Sequence, residues 1–368
     1  MTNRAVRTAH PGRIVLGVAM ALAAIAATVP ARAGERDPAT IEIPVRFDVI
    51  NVNRSKVPCP TDGGQHHVDG YLVGPAAALL EPAPAATVFV PGAVATERAA
   101  WRQKAGGGEY DVARGMAEHG HISITLDRLS FGTSSAPNGF LNCLGGEADV
   151  LAQVVDHLRA GTYEVEQRDP VAFGRVALAS ESYGGLLVSI AAYSFQNIDA
   201  LVLIASAMDQ GLPVKVLTGT GEAAVTECSR GGLPKREGGP RGYTTMVPLF
   251  DEFFGDIEPE VKADFIARAE REACGQVDSL VPALVANRLF LRTIEVPTLF
   301  VAADEDWAFP LDAMHRQQRL YSGSDDSTLV VIENAGHTVT IERGIVDGRT
   351  ASARLRSALS DWLAPRGF

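Results

Sequence analysis

The chain has 368 residues, 46% of them hydrophobic and 21% charged, with a formal net charge of −11. This balance excludes a disordered or collagen-like chain and allows a sizeable core, in one large domain with an insertion or in two smaller ones. An acidic chain without a Lys/Arg cluster is a poor nucleic-acid binder, and the absence of internal repeats argues against a solenoid or propeller.

The first segment reads as an export signal. Residues 1–13 carry Arg4, Arg7 and Arg13 and no acid, 14-IVLGVAMALAAIAATV-29 is an unbroken apolar run, and 31-ARA-33 supplies an Ala-x-Ala exit. A basic head, an apolar middle and small exit residues describe a secretory signal peptide spanning residues 1–33 and cleaved after Ala33. The run is short for a bilayer span of roughly 20 residues, so no stable span is expected after cleavage. There is no twin-arginine pair, which favours the general secretion route. Removing these residues takes away four arginines and no acid, leaving 29 basic against 44 acidic residues, a net of −15. The protein is therefore expected to be secreted or extracytoplasmic. Four cysteines in an exported chain suggest two disulfides. Cys228 and Cys274 fall in one insertion and are expected to pair, leaving Cys59 with Cys143.

Past the signal, 41-IEIPVRFDVINV-52 and 66-HHVDGYLVG-74 read as strands by alternation and β-branched content. A Pro/Ala-rich joint leads to 87-TVFVPG-92, a short buried strand. A helix is predicted over roughly Trp101–Glu118, then a strand at 121-HISITLD-127 and a helix through 146-GEADVLAQVVDHLRA-160. The strand 175-RVALAS-180 runs into a helix, 185-GLLVSIAAYSF-195, followed by the strand 200-ALVLIAS-206. Strand–helix alternation of this kind calls for a mostly parallel central sheet covered on both faces, an α/β fold. The alternation stops over residues 208–293, where Gly-rich turns and a helical 258-EPEVKADFIARAEREAC-274 appear. It resumes with 297-PTLFVAAD-304, a helix from about Leu311, 328-TLVVIEN-334 and a last helix to Trp362. The expected organisation is a core of residues 34–207 and 294–368 interrupted by a mainly helical lid at 208–293. An insertion that long in a compact domain is usually functional.

Acyl transfer needs a nucleophile, a base and an acid that orients the base. A nucleophilic serine stands on a sharp strand-to-helix turn whose neighbours two residues away must be small. In 178-LASESYGG-185, Ser180 has the bulky Leu178 two residues before it, whereas Ser182 has Ser180 and Gly184. Ser182 is the nucleophile that fits. Of eight histidines, only His315 and His337 come late enough for the order Ser, acid, His. His315 falls inside a predicted helix. His337 follows a strand in 333-ENAGHTV-339, where parallel sheets build their sites. The acid loop 304-DEDWAFP-310 offers Asp304, Glu305 and Asp306, with Asp209 as an outside candidate. Two backbone N–H donors are expected for the oxyanion: Tyr183, at the start of the helix after Ser182, and Ala93, after Pro91-Gly92, with Val94 as the neighbouring alternative.

Together, 89-FVPGA-93, 127-DRLSFGTS-134, 180-SESYGG-185 and 297-PTLFVAADEDWAFP-310 followed by 335-AGH-337 resemble the landmarks of the α/β-hydrolase superfamily, in the family's order. The resemblance covers most of the chain from about residue 41 onward. It implies the α/β-hydrolase fold, the acid at Asp306 and the lid at the insertion. Pro91 stands where the family has His, Ser130 where it has Gly, and Ser180 where it has the elbow Gly. None of these changes removes a catalytic group. The expectation is a serine hydrolase with Ser182, Asp306 and His337 as triad, cleaving a small or lipid-like carboxylic ester without metal or organic cofactor. Amide, thioester or lactone cleavage or cofactor-free peroxidation on the same fold is a second reading, and a non-catalytic extracellular binding protein a third.

Overall fold

The computed structural model describes residues 40–208, 221–247 and 252–368. The expected signal peptide and Asp209 lie outside the described residues. Nine strands form one sheet in the order β11-β10-β7-β6-β3-β4-β2-β1-β5. β1 is Thr40–Ile50, β2 Gln65–Pro75, β3 Ala85–Val90, β4 Ser123–Leu126, β5 Glu164–Val165 and β6 Arg175–Glu181. β7 is Ala200–Ile204, β10 Thr298–Ala303 and β11 Ser327–Ile332. The strands from β4 through β3, β6, β7 and β10 to β11 pair in parallel, while β1, β2 and β5 add an antiparallel flank.

Two sequence patterns correspond to these two regions. β7 and β10 are buried at every position, and β6 at every position after Arg175, which requires helical layers on both faces. β1 instead alternates, with Val45, Phe47 and Val49 buried between exposed neighbours, so one of its faces meets solvent. Helices α3 (Leu144–Ala160) and α4 (Gly184–Phe195) pack on each other and on β6.

The helix predicted over Trp101–Glu118 is shorter than expected. Gly106, Gly107 and Gly108 all have positive φ, and they confine α2 to Val112–Glu118, after the four-residue α1 at Glu97–Ala100.

Between β7 and β10, neighbours in the sheet, the chain leaves the core and returns. This excursion contains α5 (Glu222–Ser229), the short antiparallel pair β8 (Tyr243–Thr244) and β9 (Glu272–Ala273), α6 (Pro259–Arg268), α7 (Cys274–Asp278) and α8 (Leu280–Phe290). The helix expected to run to Cys274 ends at Arg268, and the chain turns extended to join β9. Disulfides link Cys59 to Cys143 and Cys228 to Cys274. Among the described residues, the remaining α-helices are α9 (Leu311–Leu320) and α10 (Ala351–Leu363). No helix among the described residues is long and apolar enough to cross a membrane.

Candidate active site

Ser182 occupies a two-residue turn, Ser182–Tyr183, between β6 and α4. Its φ of 51° lies in the left-handed region, strained for a residue with a Cβ. The turn is held where Ser182 N–H donates to the Ile204 carbonyl at 2.9 Å and Gly185 N–H donates back to Ser182 at 3.0 Å. It closes only because its neighbours are small. A Cβ on Gly184 would lie 2.1 Å from Ser180 Oγ and 2.7 Å from the Pro91 carbonyl, and one on Gly185 2.3 Å from Ser206 Oγ. Ser180 is fully buried, and its hydroxyl donates to the Val90 carbonyl at 2.7 Å. The hydroxyl is thereby held on the Val90 carbonyl, in the space that a side chain on Gly184 would need.

His337 follows β11. Its Nε2 lies 2.8 Å from Ser182 Oγ, and its Nδ1 lies 3.0 Å from Asp306 Oδ2. With the carboxylate on Nδ1, that nitrogen carries the proton and Nε2 is left to accept from the serine hydroxyl. Asp306 is itself fixed: its Oδ1 accepts from the N–H groups of Ala308 (2.8 Å) and Phe309 (3.1 Å). Asp304 sits in the same loop but accepts from Ala335 N–H, so it braces the histidine loop from below. His315 falls within α9.

A second acid, which the sequence reading did not single out, shapes the histidine loop. Glu342 is fully buried and accepts from the N–H groups of Gly336 and Thr338, one on each side of His337, and from Thr338 Oγ1. Burial pulls the His337 pKa down, but the Asp306 carboxylate, reinforced by the charges of Glu181 and Glu342, outweighs burial and leaves it raised. Glu181, the residue before the serine, is buried with its carboxyl hydrogen-bonded by Thr340. Desolvation drives its pKa up to about 7. The imidazole is flanked by the rings of Phe253 and Phe309, at centroid distances of 4.8 and 5.6 Å. Phe253 comes from the excursion between β7 and β10 and also packs against Trp307 in a tilted arrangement, with ring centroids 4.9 Å apart.

Tyr183 caps the N-terminus of α4, and among the described residues neither its N–H nor that of Ala93 donates a hydrogen bond. Both donors are therefore left without a protein acceptor among the described residues. Val94 is different: its N–H is taken by the Glu272 carboxylate at 2.6 Å. A Cβ on Gly92 would lie 3.1 Å from the Glu181 carbonyl, so glycine lets this loop approach the serine turn closely.

Residues 87–346 match the model of the alpha/beta hydrolase family. No curated protein sequence matches the chain. Among solved structures, a thermophilic esterase from Thermogutta terrifontis with malate bound is 18% identical, with a TM-score of 0.57 over 88% of this chain and 99% of that one. A bromoperoxidase from Bacillus anthracis is 14% identical, with a TM-score of 0.54 over 86% of this chain and all of its own. The esterase EaEST from Exiguobacterium antarcticum is 17% identical, with a TM-score of 0.51 over 82% of this chain and 95% of that one. At these identities the likeness is one of fold. The matched segment spans well over half of the sequence, and the chain belongs to the alpha/beta hydrolase family.

Proposed function

We propose that the protein is an extracytoplasmic serine hydrolase that cleaves a small or lipid-like carboxylic ester through an acyl-enzyme, with Ser182, His337 and Asp306 as its triad. One observation carries this reading: the continuous run Ser182 Oγ, His337 Nε2, His337 Nδ1, Asp306 Oδ2, with contacts of 2.8 and 3.0 Å. In this mechanism His337 Nε2 takes the Ser182 proton as Oγ attacks the ester carbonyl. The resulting imidazolium is stabilised by Asp306. Negative charge on the former carbonyl oxygen is met by the N–H groups of Tyr183 and Ala93, the first reinforced by the positive end of α4. His337 then protonates the departing alkoxide. A water then attacks the acyl carbonyl as His337 takes its proton; the bond to Ser182 Oγ breaks, His337 returns that proton to Oγ, and the acid leaves.

Residues 208–293 act in this reading as a lid. Phe253, from that excursion, packs on His337 and presents apolar surface beside the nucleophile, which favours a small or lipid-like acyl group over a bulky polymer. The two disulfides support an oxidising compartment. The test is a chain-length series of chromogenic esters assayed on wild type and Ser182→Ala. The reading predicts turnover on short or medium acyl chains, abolished in the variant. Faster degradation of an insoluble polyester than of soluble esters would contradict the lid assignment.

A further inference from the structure

The loop that carries Ala93 is held from outside the sheet. Val94 has a φ of 56°, a left-handed conformation that a β-branched residue adopts only when its surroundings impose it. Both of its backbone groups are engaged by one short stretch of the excursion between β7 and β10. Val94 N–H donates to Glu272 Oε1 at 2.6 Å, and Val94 C=O accepts from Glu270 N–H at 2.9 Å. The same Glu272 oxygen accepts from Arg128 Nη2 at 2.9 Å, and that nitrogen also donates to the Gly92 carbonyl at 3.0 Å. The residues on either side of Ala93 are therefore tied to one buried guanidinium–carboxylate pair.

That pair is a poor stabiliser in its own right. Arg128 and Glu272 are 3% and 2% exposed, and burying two charges costs about as much as their attraction returns. Glu147, a second buried carboxylate on Arg128 at 3.2 Å, is pushed up to about 7 by desolvation. What the pair does provide is geometry. β9, which carries Glu272, is fixed by its pairing with β8 and by the Cys228–Cys274 disulfide that follows directly. The break of the predicted helix at Arg268 has the same origin, because residues 269–273 must be extended for Glu270 and Glu272 to meet Val94.

We propose that Glu272 and Arg128 are positioning residues that set the Ala93 N–H for the oxyanion, so that residues 208–293 help build the catalytic centre as well as cover it. The proposal rests on the serine-hydrolase reading above. Glu272 and Arg128 act through the Gly92–Val94 backbone and touch no reacting atom.

The test compares wild type, Ser182→Ala, Glu272→Leu, Glu272→Gln and Arg128→Lys on one chromogenic ester. Folded sites are counted by fluorophosphonate labelling taken to completion. The inhibition constant of an alkyl boronic acid, which forms a tetrahedral adduct on serine, is measured alongside. Loss of one oxyanion donor costs about 100- to 1000-fold in kcat, and a displaced donor should cost less. Glu272→Leu is expected to lower kcat per folded site by roughly 10- to 100-fold, with KM within about threefold and boronic-acid affinity weakened in proportion to kcat. Glu272→Gln, which keeps an acceptor for Val94, should retain most of kcat, and Arg128→Lys should fall between the two. If Glu272→Leu does not fold, the ordering of Glu272→Gln and Arg128→Lys still decides the matter. Full kcat in Glu272→Leu or Arg128→Lys alongside an inactive Ser182→Ala would overturn this inference alone. Wild-type turnover by Ser182→Ala would overturn the nucleophile reading and this one with it.

Discussion

Replacing Ser180 with glycine would restore the elbow glycine that this sequence lacks, and the structure predicts a loss of stability without a gain in activity. Ser180 is fully buried, and its hydroxyl donates to the Val90 carbonyl at 2.7 Å. Removing that bond costs about 1 kcal/mol. A glycine inside a strand adds about 0.5–1 kcal/mol in unfolded-state entropy. Together these give a loss of about 2 kcal/mol, which for a domain of this length corresponds to a fall in Tm of about 3 °C. The turn itself needs only a small residue at 180, so kcat/KM per titrated site should stay within about twofold of wild type. Thermal unfolding followed by circular dichroism, paired with active-site titration on a chromogenic ester, measures both quantities. A tenfold or larger fall in kcat/KM at unchanged Tm would refute the reasoning, because it would place the Ser180 hydroxyl in the chemistry.

Four further outcomes follow from the structure. Asp306→Asn should lower kcat by about 10⁴-fold with little change in KM, because the amide no longer fixes the proton on Nδ1; steady-state kinetics on the same ester checks it. The base must be neutral to accept the Ser182 proton, and His337 has a raised pKa, so kcat/KM should fall with decreasing pH through a limb set above that of an ordinary imidazole. Glu181→Gln removes one of the charges that raise it and should move that limb to lower pH, read from the kcat/KM profile. Replacing Cys59 and Cys143 with serine opens a loop with a sequence separation of 84, a loss of about 4.5 kcal/mol in the chain-entropy picture. Denaturant unfolding should report it, while kcat at 25 °C stays near wild type.

Local features of the sequence carried the core strands and singled out the serine that the structure brings to His337. β6, β7 and β10 are apolar runs because both of their faces are covered, and runs of that kind stand out without any partner information. Ser182 could be distinguished from Ser180 because the steric demand of the turn acts on residues two positions away. The acid was less legible: Asp304, Glu305 and Asp306 share one loop, and spacing alone does not separate them. The structure brings Asp306 to His337 and gives Asp304 to the Ala335 amide.

The features that the sequence did not reveal depend on contacts distant along the chain. Helical periodicity carried α6 past Arg268, since nothing near Glu272 indicates that its carboxylate meets an amide 178 positions earlier. Glu342 was overlooked for a different reason. It lies close to His337 in sequence, but its bonds to the amides of Gly336 and Thr338 require a loop folded back on itself, which leaves no periodic trace. The Gly106–Gly108 break was missed although its signal is local: three consecutive glycines oppose the continuous helix expected over Trp101–Glu118.

The central claim is that Ser182 is the residue acylated during turnover. Wild type quenched with acid during the burst on an activated ester, then digested and analysed by mass spectrometry, should carry the acyl mass on the peptide containing Ser182. Ser182→Ala should carry none and turn over no ester. An acyl adduct on any other peptide, or undiminished turnover by Ser182→Ala, would contradict the account.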